Sequence, residues 1–480
     1  MSGIIALSVN PAVYGGKDID REFTTDVKWT AFYHQQLGQE FSGLASIHKK
    51  FRDKIQLRTH RGLFRAKFDD DELRDFSAPL AIGHISAGLR EPMLISRSCF
   101  PTFAVCFAGN LKNREELLAE LTNKGFYFEH CDDLAIITAL MTLSNYDQSQ
   151  NIDQNFIRAI TAMSHKICGA YAMAILTLEK IYVVRGPDGH QPLVLAQKRG
   201  AVAVVSESCS LYNQGFQYVR DLVAGEIVTL ENGMADTIGQ IKIDSLQPQV
   251  CAFKWIYTSF PATKINQLTA GQVRKRLGAR LAQRDIADGF FPDIVAPVPD
   301  SGRYHALGYH QEFVRQAKES KIPVEKIPYY DEVLAKFTYA GRSYTPADPE
   351  SRKIEAEKKQ IPVEEAEYAG KIIVICDDSI VRGTQTVNDL VPKLQVNGFK
   401  EIHLRISAPK LVNVCDFDKA NKKMDDLAAI NFTSKTIRSD LEMAKRLTVA
   451  SCRFSTTEDV AAAIGQPLSQ LCVSCHINQF

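Results

Sequence analysis

The chain has 480 residues, enough for roughly two to four domains, and its 45% hydrophobic and 24% charged residues are ordinary for a soluble globular protein. The formal net charge of +1 gives no overall electrostatic case for binding nucleic acid or an anionic membrane. No apolar run approaches the length of a membrane span, and the first residues lack the pattern of a secretory signal. We therefore expect a cytoplasmic protein with no nucleic-acid or membrane partner.

The first half of the sequence is predicted to be rich in β-strands. Short apolar runs bounded by glycine and polar residues, such as LAIGHISA, PTFAVCFAGNL and GAVAVVSES, predict strands. Helical spacing predicts helices over 113–125 and 132–145. The segment EHCDD (129–133) could form a metal site, but its place at the start of a helix favours capping. A hairpin with its turn at Asn232-Gly233 ends this half, and 244–253 is a plausible domain boundary.

Beyond that boundary, predicted strands and helices alternate. The helices are GQVRKRLGARLAQRDI and TVNDLVPKLQVNGF, and the strands are DIVAPVPD, KIIVICDD and EIHLRISAP. This alternation predicts a parallel α/β sheet. The long polar stretch 344–367 is either a solvated loop or exposed helix, or a mobile lid beside an active site.

The segment KIIVICDDSIVRGTQT (371–386) runs a buried strand directly into Asp377 and Asp378. Ligands of open α/β sheets bind beyond the carboxyl ends of strands, where adjacent carboxylates can bind ribose hydroxyls and the outer shell of Mg²⁺. A helix predicted to start near Val387 would offer free N–H groups to a phosphate. Hydroxyls and a glycine for close approach come from Ser379, Gly383, Thr384 and Thr386. The pattern predicts a sugar phosphate ligand; the alternative is a strand followed by a capped helix.

The eleven cysteines are too dilute for a disulfide scaffold, and most can be interpreted as buried small hydrophobic residues. The pair Cys472 and Cys475, in LCVSC, is different. A C-x-x-C sequence near a chain end indicates a metal or cluster site, or a redox pair.

The stretch DDSIVRGT closely resembles the diphosphate-ribose (PRPP) fingerprint of type I phosphoribosyltransferases, in the variant typical of glutamine PRPP amidotransferases of purine synthesis. Five further segments resemble that family in the same order: CAFKWIYTSFP (251–261), VAPVPDSGRYHALGYH (295–310), KFTYAGRSYTP (336–346), LRISAPKLVNVCDF (404–417) and STTEDVAAAIGQPLSQLCVSC (455–475). The resemblance covers essentially the whole chain. It implies an α+β, N-terminal-nucleophile hydrolase-like (αββα) glutaminase domain over 1–247, an α/β type I phosphoribosyltransferase domain with a parallel sheet over 248–450, and a C-terminal segment, 451–480, with cluster cysteines.

The resemblance also implies the roles of the transferase residues. Asp377 and Asp378 would hold the ribose hydroxyls and Mg²⁺, and Ser301 would complete the surroundings of the metal and pyrophosphate. Lys336 and Tyr339 match loop residues that close over PRPP, although Phe337 and Thr338 replace the usual Asn-Arg. The PRPP-binding loop after the acid pair comprises Ser379, Arg382, Gly383, Thr384, Gln385 and Thr386. The implied reaction displaces pyrophosphate at the ribose C1 atom.

In the iron–sulfur branch of the family, four cysteines ligate a [4Fe–4S] cluster. The matching positions are Cys251, Cys415, Cys472 and Cys475. Four thiolates converging from distant parts of a chain meet the needs of such a cluster. Four reduced thiols or a zinc site remain alternatives.

The glutaminase half departs from the family at its site residues. The nucleophilic cysteine is replaced by Ser2, the arginine that binds the glutamine carboxylate by Ser86, and the oxyanion-hole asparagine by Ala108. Leu37 stands where another arginine is usual, whereas the aspartate of the site is kept as Asp132. We therefore expect a pseudo-glutaminase.

Three functions follow from these expectations. The first is synthesis of 5-phosphoribosylamine from PRPP and ammonia, the second is phosphoribosyl transfer to another acceptor, and the third is non-catalytic binding of PRPP or nucleotide by a regulatory paralogue. The resemblance also implies purine nucleotide effectors and a homo-oligomer, either a dimer or a tetramer.

Overall fold

The structure is a computed structural model that describes residues 2–15, 18–48, 50–97, 100–129, 131–144, 146–337, 359–415, 417, 424–431, 434 and 436–477. The chain forms two compact units. The amino-terminal unit consists of residues 1–250 with the short segments 264–267 and 416–419, and the carboxyl-terminal unit contains the remaining residues. No helix in the described ranges is long and apolar enough to cross a membrane.

The amino-terminal unit is built from two β-sheets and six helices in its described part. Its strands are β1 (Ser2–Val9), β2 (Phe41–Ile47), β3 (Ile55–Arg61), β4 (Leu80–Ser86), β5 (Met93–Arg97), β6 (Phe100–Leu111), β7 (Gly169–Leu176), β8 (Ile181–Arg185), β9 (Val194–Lys198), β10 (Ala201–Val205), β11 (Gln217–Asp221), β12 (Glu226–Glu231) and β13 (Met234–Gln240). Its helices are α1 (Ile19–His34), α2 (Phe64–Lys67), α3 (Asp70–Asp75), α4 (Arg114–Asn123), α5 (Asp133–Thr142) and α6 (Ile152–Lys166). The sheets have the strand orders β11-β9-β10-β1-β4-β2-β3 and β13-β12-β8-β7-β6-β5.

Core packing shows four layers in this unit. Small residues of both sheets, such as Ile4 of β1 and Ala108 of β6, share one buried cluster, so the sheets pack face to face. The opposite face of the first sheet packs against α1 through Phe23, and that of the second packs against α5 and α6 through residues such as Ile136. The predicted αββα architecture is confirmed. The predicted hairpin turn is also present, with positive φ at both Asn232 (50°) and Gly233 (71°).

The carboxyl-terminal unit contains a five-stranded sheet flanked by helices. The remaining strands of the chain are β14 (Val250–Cys251), β15 (Lys264–Ile265), β16 (Leu268–Thr269), β17 (Ile294–Pro297), β18 (Tyr329–Tyr330), β19 (Leu334–Lys336), β20 (Gln360–Pro362), β21 (Ile372–Asp377), β22 (Glu401–Ile406), β23 (Ile430–Asn431), β24 (Thr436–Ile437), β25 (Ser451–Phe454) and β26 (Leu471–Cys472). The remaining described helices are α7 (Ala270–Ala287), α8 (Arg303–Lys318), α9 (Val391–Gln395), α10 (Asp440–Leu447) and α11 (Thr457–Ile464).

The main sheet has the order β18-β17-β21-β22-β25, and every pair in it is parallel, as the sequence predicts. The central strand β21 therefore ends, at Asp377, between the ends of β17 and β22. The helix predicted to start near Val387 begins three residues earlier, because helical backbone runs from Thr384 through the π-helical turn Thr386–Leu390 into α9. The phosphate loop is accordingly shorter than expected.

A close crossing of α7 and α8 fixes the start of α8, next to the acid pair. A Cβ atom on Gly278 would lie 1.9 Å from the carbonyl oxygen of His305, and one on Gly308 would lie 2.0 Å from that of Lys275. The two helices can approach this closely only because both positions are glycine. Since α8 begins at Arg303, this packing also sets the position of the preceding residue pair Ser301-Gly302.

Candidate active site

The two carboxylates at the end of β21 are held in a network of short hydrogen bonds. Asp377 Oδ1 accepts from the Ser301 hydroxyl at 3.0 Å and from the Asp378 N–H at 2.8 Å. Asp378 Oδ1 accepts from the Ser379 hydroxyl at 2.5 Å. The structure thus brings together four predicted site residues from two separate segments, 301 and 377–379.

Burial makes this pair electrostatically unfavourable. The pKa of Asp377 is raised well above its usual value, mainly by burial and next by the charge of Asp378. Burial also raises the pKa of Asp378. Adjacent buried carboxylates are stabilised when a cation or hydroxyl donors bind to them. The acid pair is therefore suited to an oxygen-binding divalent cation or to the hydroxyl groups of a sugar.

The loop that carries Ser301 lies directly on the central strand. The Val298 N–H donates to the Cys376 carbonyl at 2.9 Å, and the Gly302 N–H donates to the Val298 carbonyl at 2.7 Å. A Cβ atom on Gly302 would lie 2.1 Å from the Cys376 carbonyl oxygen, so only glycine fits there. This contact holds the Ser301 hydroxyl beside the acid pair.

The segment after the acid pair has the features of a phosphate-binding loop. Gly383 has a φ of +74° and accepts from the Val387 N–H through its carbonyl at 3.1 Å. Helical backbone starts at Thr384, whose side chain is exposed together with that of Gln385, while Thr386 is half-buried. The first N–H groups of a helix have no intrahelical partner and favour an anion. This end of the helix is open to such a ligand.

Two predicted cations of the site make ion pairs with nearby carboxylates. Lys336 Nζ contacts Asp300 Oδ2, and the other oxygen of Asp300 lies 3.0 Å from a guanidinium nitrogen of Arg303. Arg382 donates to Asp426 Oδ2 at 2.6 Å. The ion pairs that the structure shows for both cations are thus with Asp300 and Asp426, and not with the acid pair.

The predicted lid is described only at its two ends. β19 and β20 pair antiparallel, with Lys336 opposite Gln360, and the Gln360 side chain donates to the Pro299 carbonyl at 3.3 Å. This two-stranded ribbon therefore lies beside the loop of Ser301. Tyr339, Thr338 and most of the stretch 344–367 lie outside the described residues.

The four predicted cluster cysteines lie near one another in the carboxyl-terminal unit. The Ala252 N–H donates to the Cys472 carbonyl at 3.1 Å, and the Val412 N–H donates to the Cys475 carbonyl at 2.9 Å. Burial is the main cause that raises the pKa of Cys475, and the charges of the other three thiols raise it further. Burial and, to a smaller extent, Cys472 raise the pKa of Cys251 to about 12. Over the described ranges, however, no three or more His, Cys, Asp or Glu side chains are arranged to hold a metal ion.

In the amino-terminal unit, the residues predicted to occupy the glutaminase site take part in turns and core packing. Ser2 pairs directly with Ser86 across β1 and β4, and the Ser86 hydroxyl accepts from the N–H groups of Gly88 at 3.1 Å and Leu89 at 2.8 Å. Ala108 is 2% exposed in the core between the sheets. Leu37 is buried, with a methyl group 2.8 Å from where a Cβ atom on Gly3 would be. These side chains serve turn formation and packing.

Asp132 is the N-cap residue of α5. Its carboxylate accepts from the Ala135 N–H at 2.8 Å. The interpretation of EHCDD as a capping segment is confirmed for this residue, while His130 lies outside the described residues.

Sequence reasoning missed two buried polar features. Arg274 of α7 donates to the carbonyls of Trp255, Tyr257 and Ser259, and its charge favours the ionised form of Asp378. In the other unit, Glu91 accepts from the Phe107 N–H at 2.6 Å and has an oxygen 3.5 Å from His84 Nδ1. Neither feature has a local sequence signal, because the partners are distant in the chain and are mostly backbone groups.

Comparisons with known proteins agree with this geometry. Residues 78–213 match the family of the glutamine amidotransferase domain. The chain is 30% identical over 467 residues to the amidophosphoribosyltransferase of Methanocaldococcus jannaschii, covering 92% of this chain and 91% of that protein. It is also 30% identical to that of Synechocystis, covering 92% and 84% respectively. The chain belongs to the amidophosphoribosyltransferase family.

A solved amidophosphoribosyltransferase structure has the same fold. The glutamine PRPP amidotransferase of B. subtilis complexed with ADP and GMP superposes with a TM-score of 0.80 and 23% identity, over 100% of this chain and 97% of that chain. The family and the fold class predicted from the sequence are therefore both confirmed.

The core position of Ala108 gives a stability prediction. Because Ala108 is packed between the two sheets, Ala108→Asn should destabilise the amino-terminal unit by about 2–4 kcal/mol, since it inserts both volume and an amide into a dry layer. The matched control is Ala87→Asn, because Ala87 is exposed in the turn after β4 and should change stability by less than about 0.5 kcal/mol. Urea unfolding monitored by circular dichroism measures both. Equal stability of the two variants would show that space for an asparagine remains at position 108.

Proposed function

We propose that this amidophosphoribosyltransferase family member binds PRPP and Mg²⁺ and forms 5-phosphoribosylamine for purine synthesis, with ammonia rather than glutamine as the nitrogen source. The observation that carries the proposal is a contrast between the two units. The acid pair and phosphate loop keep their polar groups in a ligand-binding arrangement, whereas Ser86 and Ala108 have structural roles in the glutaminase half.

The residues of the transferase site fit Mg²⁺ and a phosphorylated sugar. Asp377 and Asp378 supply hard oxygen ligands whose buried charges favour a divalent cation, and Ser301 is positioned to complete the surroundings. When bound, Mg²⁺ would neutralise negative charge on the pyrophosphate leaving group.

The chain's own groups would then orient the substrate. The two carboxylates would accept hydrogen bonds from the ribose hydroxyls, while the backbone N–H groups from Gly383 to Thr386 would hold the 5-phosphate. Lys336, on the strand next to the Ser301 loop, would place a positive charge near the pyrophosphate side. Tyr339 remains a proposed contact of the closing loop.

The first test concerns the acid pair. The double variant Asp377→Asn/Asp378→Asn should weaken Mg²⁺-dependent PRPP binding by about a hundredfold or more in Kd, because it removes both negative charges and replaces one acceptor oxygen of each carboxylate with a donor NH₂ group. Isothermal titration calorimetry with PRPP and Mg²⁺ measures the affinity. Asp425→Asn removes the negative charge of an exposed residue outside the acid pair and serves as the control for a change in net charge. Unchanged PRPP affinity in the double variant would refute the assignment.

We further propose that Cys251, Cys415, Cys472 and Cys475 ligate a [4Fe–4S] cluster. Support comes from backbone hydrogen bonds that join the segments of these cysteines, from the Ala252 N–H to the Cys472 carbonyl and from the Val412 N–H to the Cys475 carbonyl, and from the charges of the other three thiols, which act on Cys475. In the described ranges, no three or more His, Cys, Asp or Glu side chains are arranged to hold a metal ion. Metal content therefore distinguishes the cluster from a zinc site and from free thiols.

Metal content tests this proposal. Protein purified without oxygen should be brown and contain about four iron and four sulfide per chain. Cys472→Ser should lose the colour and lower the midpoint of thermal unfolding, because cluster binding stabilises the folded tail. Cys131→Ser, which removes an exposed cysteine of the other unit, should keep both properties. Stoichiometric zinc in a colourless anaerobic preparation would instead identify a zinc site.

The glutaminase half gives the sharpest test of the nitrogen source. Wild-type protein should release pyrophosphate from PRPP with ammonia but not with glutamine, and should form no glutamate. Ser2→Cys should also remain inactive, because Ser86 offers no carboxylate clamp and Ala108 offers no oxyanion donor. Residues that act as a unit are not restored by repairing one of them.

Glutamate release, measured with and without PRPP, distinguishes a glutaminase site with several lesions from one in which only Ser2 is altered. Robust glutamate formation by Ser2→Cys would mean that the rest of the glutaminase site is intact and that Ser2 is its only lesion. Pyrophosphate release that depends on an added nucleophile other than ammonia or glutamine would point to the second candidate, transfer to another acceptor. Phe337 is exposed at the start of the altered loop, and this loop favours transfer to another acceptor or non-catalytic binding.

Several further features of the family are proposed for this chain. Purine nucleotides are proposed as effectors, since the B. subtilis structure is a complex with ADP and GMP. We also propose a cytoplasmic homo-oligomer, with functional segments at 1–247, 248–450 and 451–480. Non-catalytic binding of PRPP by a regulatory paralogue remains the outcome if no acceptor supports pyrophosphate release.

A further inference from the structure

The arginine of the phosphate loop already has an anionic partner on a neighbouring turn. Arg382 donates to Asp426 Oδ2 at 2.6 Å, from a side chain that is 61% exposed. Asp426 belongs to the 3₁₀ turn Met424–Asp426. The guanidinium is therefore accessible to a solute anion while it is paired with Asp426.

The backbone on both sides of this ion pair is fixed. The Ala428 N–H donates to the Val381 carbonyl at 2.7 Å, which ties the turn of Asp426 to the phosphate loop. Leu427 and Ala428 are buried in the same core cluster as Ile380. Since both segments are anchored next to the paired side chains, the carboxylate is held beside the guanidinium and is not a chance surface contact.

We propose that Asp426 sets the affinity of the phosphate loop by competing with the 5-phosphate of the substrate for Arg382. The inference rests on the proposed function, since it assumes PRPP as the ligand of this loop. Carboxylate and phosphate oxygens accept the same charge-assisted hydrogen bonds from the planar guanidinium. Binding a phosphate therefore requires Arg382 to exchange its partner, or to hold two anions that repel each other.

The expected size of the effect follows from exposure. Exposed ion pairs contribute little, so removing the competing carboxylate should tighten phosphate binding by about two- to fivefold in Kd. The difference should shrink as ionic strength rises, because salt screens exposed charges. The device adjusts affinity and does not close the site.

The experiment titrates the full chain with ribose 5-phosphate, and separately with PRPP and Mg²⁺, by calorimetry. Asp426→Asn should bind both ligands about two- to fivefold more tightly at low salt. Asp425→Asn removes the same charge from the adjacent exposed residue of the turn and should leave both affinities unchanged. In an Arg382→Gln background, Asp426→Asn should have no effect, because the cycle isolates the pair. Thermal unfolding confirms that each variant is folded.

Each other outcome overturns the inference. Weaker binding by Asp426→Asn would mean that the carboxylate positions Arg382 for the phosphate. An equal gain in affinity in Asp425→Asn and Asp426→Asn would show that the change in net charge, and not competition for Arg382, causes the effect. Unchanged affinity of Asp426→Asn, with wild-type protein still binding PRPP, would overturn the competition alone, whereas a wild type that binds no PRPP would overturn the proposed function as well.

Discussion

The carboxyl-terminal unit is organised around two adjacent carboxylates buried at the end of its central strand. Asp377 and Asp378 raise each other's electrostatic energy, and burial adds to that cost. The pair persists because the surrounding structure compensates: Ser301 and Ser379 donate hydroxyl groups, and Arg274 supplies a distant positive charge. A site that is unfavourable when empty is stabilised by the ligands that bind it, which is a common trade between stability and function.

The acid pair is held in place by close backbone contacts that require glycine at three positions around the site. Gly302 lets the Ser301 loop lie on the carbonyl of Cys376, while Gly278 and Gly308 let α7 and α8 cross closely enough to fix the start of α8. Each contact is between backbone atoms, so the position of the Ser301 hydroxyl does not depend on flexible side chains. Rigid elements of this kind hold a site more accurately than loops can.

Local patterns in the sequence were sufficient for the sheet, the acid pair and the capping by Asp132. Strand β21, the alternation of strands with helices and the hairpin at Asn232 all depend on neighbouring residues, so their periods and turn residues are visible in the chain. The start of the phosphate-loop helix was placed three residues late, because the π-helical turn after Gln385 has no periodic signal. The backbone partners of Arg274 and the hydrogen bond of Glu91 to the Phe107 N–H were missed, because such contacts arise from tertiary packing and have no local pattern.

In the amino-terminal unit, the residues at the proposed glutaminase positions contribute to the fold itself. An arginine clamp and an oxyanion-hole amide are polar groups whose burial is expensive without a substrate. Ser86, whose hydroxyl closes a turn, and Ala108, which fills the layer between the sheets, remove that expense. The exception is Glu91, whose pKa is raised by burial and by Asp132 and Asp133. Because it retains one hydrogen bond to the Phe107 N–H, it ties the turn after β4 to β6. The free-energy cost of burying Glu91 is therefore retained where this carboxyl group holds the turn after β4 to a strand of the other sheet.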